Sequence, residues 1–167
     1  PDEGQIYIHG QPVTIGSPKD AFAHGIGMIH QHFKLVDIFT ATENIILGLE
    51  ESGRMNLPEA SRKVKEICDK YGFDIDPDQK IYDMSVSQKQ TVEILKVLYR
   101  GADILILDEP TAALDPIAES EIYQQYNQMT AGRTAVFISH RLASTRFCDR
   151  IFFLENGRIA ESGTHDQ

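Results

Sequence analysis

Two neighbouring carboxylates, Asp108 and Glu109, directly follow the apolar run 104–107. Such a run is typical of a strand that is covered on both faces. The carboxyl edge of a parallel sheet is where α/β proteins bind ligands, so we expect both acids at such an edge. Asp108 could hold Mg²⁺ there through the water shell of the ion, and Glu109 could polarise an attacking water as general base. The alternative is a strand end with solvated acids.

Other polar residues also stand at the ends of predicted elements. Gln31 follows the apolar run 26–29, and His140 follows the run 135–138. A lone histidine after a strand is more often a packed or solvated imidazole than a functional group. Ser85 precedes a helix predicted from about Ser87, and the unpaired N–H groups at that helix start favour an anion site. A simple helix cap is the alternative, and the two roles are compatible.

The elements around these residues predict an α/β fold. Residues 1–43 indicate a β-hairpin, a short helix and a strand, which form the first part of a parallel-sheet core. Residues 44–101 show helical periodicity and indicate an inserted helical subdomain. Residues 102–167 alternate strand, helix and strand and complete the core, with predicted buried strands at 104–107, 135–138 and 151–154.

Taken in order, these segments resemble the nucleotide-binding domain of ABC transporters over nearly the whole chain. The matching segments are a Q-loop glutamine at Gln31, a signature motif at 84–88, a Walker B strand at 104–109, a D-loop at 113–115 and an H-loop at His140. Residues 1–111 are more similar to the ATPases of sugar or nucleoside importers, and residues 112–167 to exporter-type ATPases. The resemblance implies a P-loop NTPase-like core and an ATP-hydrolysing subunit that drives solute transport, most similar to sugar or nucleoside import.

The resemblance also implies roles for individual residues, with ATP and Mg²⁺ as cofactors. It assigns catalysis to Glu109 and His140, nucleotide binding to Gln31, Ser85, Ser87, Gln88 and Asp115, and the metal to Asp108 and Gln31. The implied partners are a second ABC ATPase domain, whose ATP the signature segment would contact, and an integral membrane permease. The protein would then lie in the cytoplasm, on the inner face of the membrane, through that permease.

Two features depart from the family pattern. Val86 and Ser87 stand where the signature usually has two glycines, and the Ser87 side chain would crowd the phosphate. The phosphate-binding motif G-x-x-x-x-G-K-[ST] does not occur in the chain, and the resemblance places it before residue 1. We therefore expect a truncated chain that is inactive alone. Its sheet should lack the P-loop strand and have a slot between residues 135–139 and 151–154 that is either open or filled by a foreign or rearranged segment.

The composition restricts the class of partner. The net charge of -9 argues against nucleic acid, because phosphate backbones are bound by basic surfaces. No stretch reaches the ~20 apolar residues that span a bilayer, and Cys68 and Cys148 match no metal-ligand spacing. Two other interpretations remain: an ABC ATPase that does not serve transport, and a non-catalytic fragment that supplies only its signature face.

Overall fold

A computed structural model describes residues 3–31, 33–49, 56–109, 116–140 and 142–165, with the backbone alone for 116–121 and 142–144. Its centre is a parallel sheet of three strands, β3 (Ile26–Ile29), β4 (Ile104–Asp108) and β5 (Thr134–Ile138), in the order β3-β4-β5. The predicted parallel core is confirmed. The strands run in the same direction, so their carboxyl ends meet at one edge.

Two antiparallel hairpins flank this sheet in the sequence. The first pairs β1 (Ile6–Ile8) with β2 (Gln11–Val13), as predicted. The second pairs β6 (Ile151–Glu155) with β7 (Arg158–Gly163). Its turn consists of Asn156 and Gly157, both with positive φ, which is the conformation that a two-residue hairpin turn requires.

Five α-helices complete the described fold: α1 (Pro18–Ala23), α2 (Ala41–Ile46), α3 (Leu57–Tyr71), α4 (Val86–Tyr99) and α5 (Pro116–Thr130). Short 3₁₀ helices cover Ile81–Asp83 and Leu142–Phe147. None of the helices in the described ranges has the length and apolar character that crossing a bilayer requires.

Helices α3 and α4 differ in how much of their surface is covered. In α3 one stripe is buried, formed by Ala60, Val64 and Cys68, and the helix ends at Gly72 in the left-handed conformation. In α4 nearly every residue from Gln90 to Tyr99 is buried, because this helix packs against β3, α2, α3 and α5. The helix predicted to close the helical subdomain therefore also belongs to the layer that covers the central sheet.

The strands β5 and β6 differ from the expectation that both are buried. Val136 and Ile138 of β5 are about half exposed, and Phe153 and Leu154 of β6 are 58% and 67% exposed. Among the described residues, β5 is paired with β4 alone and β6 with β7 alone. The predicted lack of pairing between β5 and β6 is confirmed. The prediction of full burial was wrong because apolar strands are buried only when neighbours cover them.

Candidate functional site

Three predicted site residues form one hydrogen-bonded cluster at the carboxyl edge of the central sheet. The Nε2 of Gln31 donates to Oε2 of Glu109 over 3.2 Å, and Nδ1 of His140 lies 2.7 Å from Oε1 of the same carboxylate. Gln31 follows β3, Glu109 follows β4 and His140 follows β5. The parallel arrangement of the strands thus brings together residues that are up to 109 positions apart (140 − 31) in the chain.

Glu109 lies at the centre of this cluster, and its backbone explains its orientation. Its N–H donates to the carbonyl of Ile138 over 2.9 Å, which extends the β4–β5 ladder by one residue. Its φ is +42°, a left-handed conformation that side-chain-bearing residues rarely adopt. Strained backbone of this kind persists where the surrounding structure holds it, and it is frequent at functional sites. The Glu109 side chain is 27% exposed, so water has access to it.

Asp108 lies at the end of β4, one residue before the cluster, and is partly buried. No group of three or more His, Cys, Asp or Glu side chains that could hold a metal ion is found in the described ranges. Mg²⁺ bound with a nucleotide takes one or two carboxylates and completes its shell with phosphate oxygens and water. The Asp108 carboxylate and the side-chain carbonyl oxygen of Gln31 are hard oxygen donors of the kind that this ion prefers.

The signature residues form a second, separate cluster at the start of α4. The Ser85 hydroxyl accepts from the Gln88 N–H over 3.2 Å, and the Gln88 side chain accepts from the Ser85 N–H over 3.0 Å. This reciprocal capping box shows that Ser85, and not Ser87, caps the helix. The side-chain hydrogen bonds of Ser85 and Gln88 remain inside this cap. The structure therefore does not join these residues to Gln31, Glu109 and His140.

The predicted D-loop, including Asp115, lies outside the described residues. A set of hydrogen bonds that was not predicted from the sequence lies just after Gln31. Residues 33–36 have no regular secondary structure, yet Glu93 of α4 and Asn44 of α2 hydrogen-bond to their backbone. The signal was present in the sequence, because Glu93 stands between the apolar residues Val92 and Ile94 of a helix that is buried on several sides.

Comparison with known proteins places this geometry in a family. A family model described as ABC transporter matches residues 1–112. The nucleoside import ATP-binding protein NupA of Lactococcus lactis subsp. cremoris (strain MG1363) is 48% identical over 166 residues, which cover 97% of this chain and 33% of that protein. The guanosine import ATP-binding protein NupO of Bacillus subtilis (strain 168) is 46% identical over 95% of this chain and 32% of that protein.

These alignments to import proteins continue through the C-terminal part, which the sequence analysis compared with exporters. The chain spans about a third of the length of these curated relatives. Among solved structures, the dimeric ATP-binding cassette MJ0796, in a post-hydrolysis state bound to ADP and Pi, superposes with a TM-score of 0.76 at 26% identity. The superposition covers 98% of this chain and 74% of that one. The match of family model, relatives and fold shows that this chain belongs to the ABC transporter family.

Proposed function

We propose that this chain is the ATP-hydrolysing part of an ABC importer for sugars or nucleosides. The observation that carries the proposal is the Glu109 carboxylate, held between Gln31 and His140 at the carboxyl edge of a parallel sheet. The names of the relatives, which import nucleosides and guanosine, support the class of transported solute. The sequence departures at Val86 and Ser87 leave this geometry untouched, since they lie in the other cluster.

In this proposal Glu109 is the general base for attack of water on the γ-phosphate of ATP. The hydrogen bond from Gln31 orients one carboxylate oxygen, and the bond with His140 orients the other. In the proposal His140 contacts the γ-phosphate on the open side of the cluster, and the 69% exposure of its side chain supports this role. Asp108 and Gln31 would hold Mg²⁺, which when bound neutralises charge on the phosphate oxygens.

The capped start of α4 has a different role in the proposal. Helix N-termini bind anions, because their first N–H groups lack partners and the helix dipole is positive there. We propose that Ser85, Ser87 and Gln88 contact ATP held by a second ABC ATPase domain, together with Asp115. This accounts for a capping cluster that makes no contact with the Glu109 cluster of its own chain.

The proposed location follows from the proposed partners. An integral membrane permease would receive the energy of ATP hydrolysis, and the ATPase would remain on the cytoplasmic face of the membrane. Comparing uptake of radiolabelled nucleosides and pentoses by cells with and without the gene tests the solute. If cells that carry the gene take up neither nucleosides nor pentoses faster than cells without it, the proposed import is contradicted.

The catalytic proposal is tested by Glu109→Gln in the full-length protein. Loss of a general base lowers turnover by roughly 10²- to 10⁴-fold, while binding of Mg-ATP should remain within about twofold, since the amide keeps the shape of the side chain. Glu155→Gln is the matched control, because Glu155 also ends an apolar strand but belongs to β6. Turnover that survives in Glu109→Gln would exclude Glu109 as the base.

A second substitution tests the signature segment. Ser87→Gly removes a side chain from the second position of α4, where the family pattern has glycine. We expect a higher ATPase rate in the full-length protein, because the phosphate can approach the backbone more closely. An unchanged or lower rate would mean that the Ser87 side chain is already accommodated.

A further inference from the structure

The segment that follows Gln31 is held by charged side chains instead of by a neighbouring strand. The Lys34 N–H donates to Oε1 of Glu93 over 2.5 Å, and the Lys34 carbonyl accepts from Nζ of Lys96 over 3.0 Å. Both backbone groups of one residue are thus satisfied by two residues of α4. Glu93 and Lys96 also form an ion pair of 3.3 Å, so the two contacts support each other.

Val36, two residues further on, is held in the same way from α2. Its N–H donates to Oδ1 of Asn44 over 2.7 Å, and its carbonyl accepts from Nδ2 of Asn44 over 3.1 Å. Asn44 is completely buried. The segment 33–36 has no regular secondary structure, yet the backbone of alternate residues, Lys34 and Val36, is hydrogen-bonded as in a strand.

The burial of Glu93 indicates that this contact is specific. Its side chain is 5% exposed, and the buried residues next to it in α4 are mostly apolar. A buried carboxylate is costly unless it is paired and hydrogen-bonded. Glu93 meets that requirement through the Lys34 N–H and the Lys96 ammonium group.

Arg100, the residue at which α4 ends, makes a further backbone contact at the C-terminal end of α2. Nη2 of Arg100 donates to the Leu47 carbonyl over 3.0 Å, and its guanidinium lies 4.8 Å from the centre of the Phe22 ring. Glu93, Lys96 and Arg100 follow one another at helical spacing and lie on one side of α4. They hold the chain at both Lys34 and Leu47.

We propose that Glu93 is a positioning residue. It ties the segment 33–36, which follows Gln31 in the chain, to helix α4. Glu93 lies two turns beyond Ser85, at a distance of about 12 Å along the axis, and Lys34 lies three residues beyond Gln31. A displacement of α4, when nucleotide contacts its capped start, is thereby passed to Gln31 and to the Glu109 carboxylate that Gln31 contacts. The proposal rests on the proposed function and names the side chain that couples the two clusters.

The tie itself is tested by hydrogen exchange of residues 33–36 in the nucleotide-free, full-length protein. Glu93→Ala removes the acceptor of the Lys34 N–H, and we expect exchange there to become faster on the order of ten- to hundredfold. Glu93→Gln keeps an acceptor and should give a smaller increase. Glu66→Gln is the matched control, since Glu66 is an exposed helical glutamate of α3 in an ion pair with Arg62. Unchanged exchange at 33–36 in Glu93→Ala would overturn the proposal.

Positioning, as distinct from local stability, is tested by two more measurements. Crystal structures of Glu93→Gln and Glu93→Ala should show Gln31 displaced from Glu109, and kcat for ATP should fall about tenfold or more with little change in KM. Faster exchange with Gln31 in place and kcat unaltered would reduce Glu93 to a structural role and overturn the proposal. If Glu93→Ala fails to fold, Glu93→Gln decides by the same criteria. If the unaltered protein hydrolyses no ATP, the proposed function fails, while exchange and the Gln31 position still decide the role of Glu93.

Discussion

Strands β4 and β6 are alike in sequence but differ in their surroundings. Each has five residues, four of them apolar, and each ends in an acid. In β4, Leu105 and Leu107 are completely buried, whereas in β6, Phe153 and Leu154 are more than half exposed. An apolar run thus determines the strand, while the elements on either side determine whether the strand is buried.

The same contrast divides the candidate site. Strand β4 lies between β3 and β5, and the carboxylate of Glu109 that follows it is 27% exposed. Strand β5 has a partner on one side only in the described part of the chain, and the His140 side chain that follows it is 69% exposed. The site thus has a more covered side toward β3 and β4 and an open side toward β5. This open side is where the proposed function places the γ-phosphate.

Alanine substitutions in β4 and β6 should differ strongly in their effect on the free energy of unfolding. Leu105→Ala should lower the free energy of unfolding of the 167-residue chain by about 2–5 kcal/mol, because it leaves a cavity in a packed core. Leu154→Ala should change it by less than about 0.5 kcal/mol, since Leu154 is 67% exposed. Urea denaturation followed by circular dichroism measures both. Equal losses at the two positions would show that β6 is covered in solution and would remove the contrast.

A substitution at Gly27 tests how tightly α4 packs against β3. A Cβ atom on Gly27 of β3 would lie 2.2 Å from Cγ1 of Val97 and 2.9 Å from Cβ of Ala102. Gly27→Ala should therefore destabilise the chain by about 1–3 kcal/mol through overpacking. Gly16→Ala is the control, because its nearest neighbour, Oδ2 of Asp20, lies at 3.5 Å. A stable Gly27→Ala variant would mean that α4 can move away from β3 at little cost.

Much of this arrangement could be predicted from local signals. The apolar runs predicted the strands, and the acids that follow β4 predicted the centre of the site. The parallel order followed from the alternation of strands and helices. The resemblance to a family assigned Gln31, Glu109 and His140 to one nucleotide site, but the meeting of Gln31 and His140 on the Glu109 carboxylate was not predicted, because no local pattern relates residues so far apart.

Other features depend on tertiary contacts, which local patterns do not show. The exposure of β6 follows from the predicted open slot beside it, since an apolar run by itself carries no information about its neighbours. The role of Glu93 depends on an unstructured segment that lies 59 residues away in the chain. A charged residue in an apolar helix signals that a partner must exist, but the sequence does not identify that partner.

A smaller effect is expected at the cap of α4. Ser85→Ala removes the hydroxyl that accepts from the Gln88 N–H and should cost about 1 kcal/mol. Ser87→Ala is the control, since Ser87 lies inside the first turn and the cap is formed by Ser85. Thermal unfolding of both variants measures the difference. If Ser87→Ala were the more destabilising of the two, the assignment of Ser85 as the cap would be wrong.

The smallest expected effect at neutral pH concerns the two cysteines, neither of which forms a disulfide. Burial raises the pKa of the Cys68 thiol from 9.0 to about 11, and burial together with Asp149 raises the pKa of Cys148. Cys68 is completely buried on the covered stripe of α3, and Cys148 is partly buried near the start of β6. Since thiolates react and thiols do not, iodoacetamide near pH 8 should modify Cys148 before Cys68.

The raised pKa of Cys68 also has a consequence for stability. A group whose pKa is higher in the folded state favours folding fully below its unfolded value, here about 9.0, and loses that contribution as the pH rises toward about 11. Cys68→Ala should therefore flatten the fall in stability between these pH values, while Cys148→Ala should flatten it less. In urea both thiols should react at the same rate. Faster modification of Cys68 than of Cys148 in the folded chain would show that the core around α3 opens more readily than the region before β6.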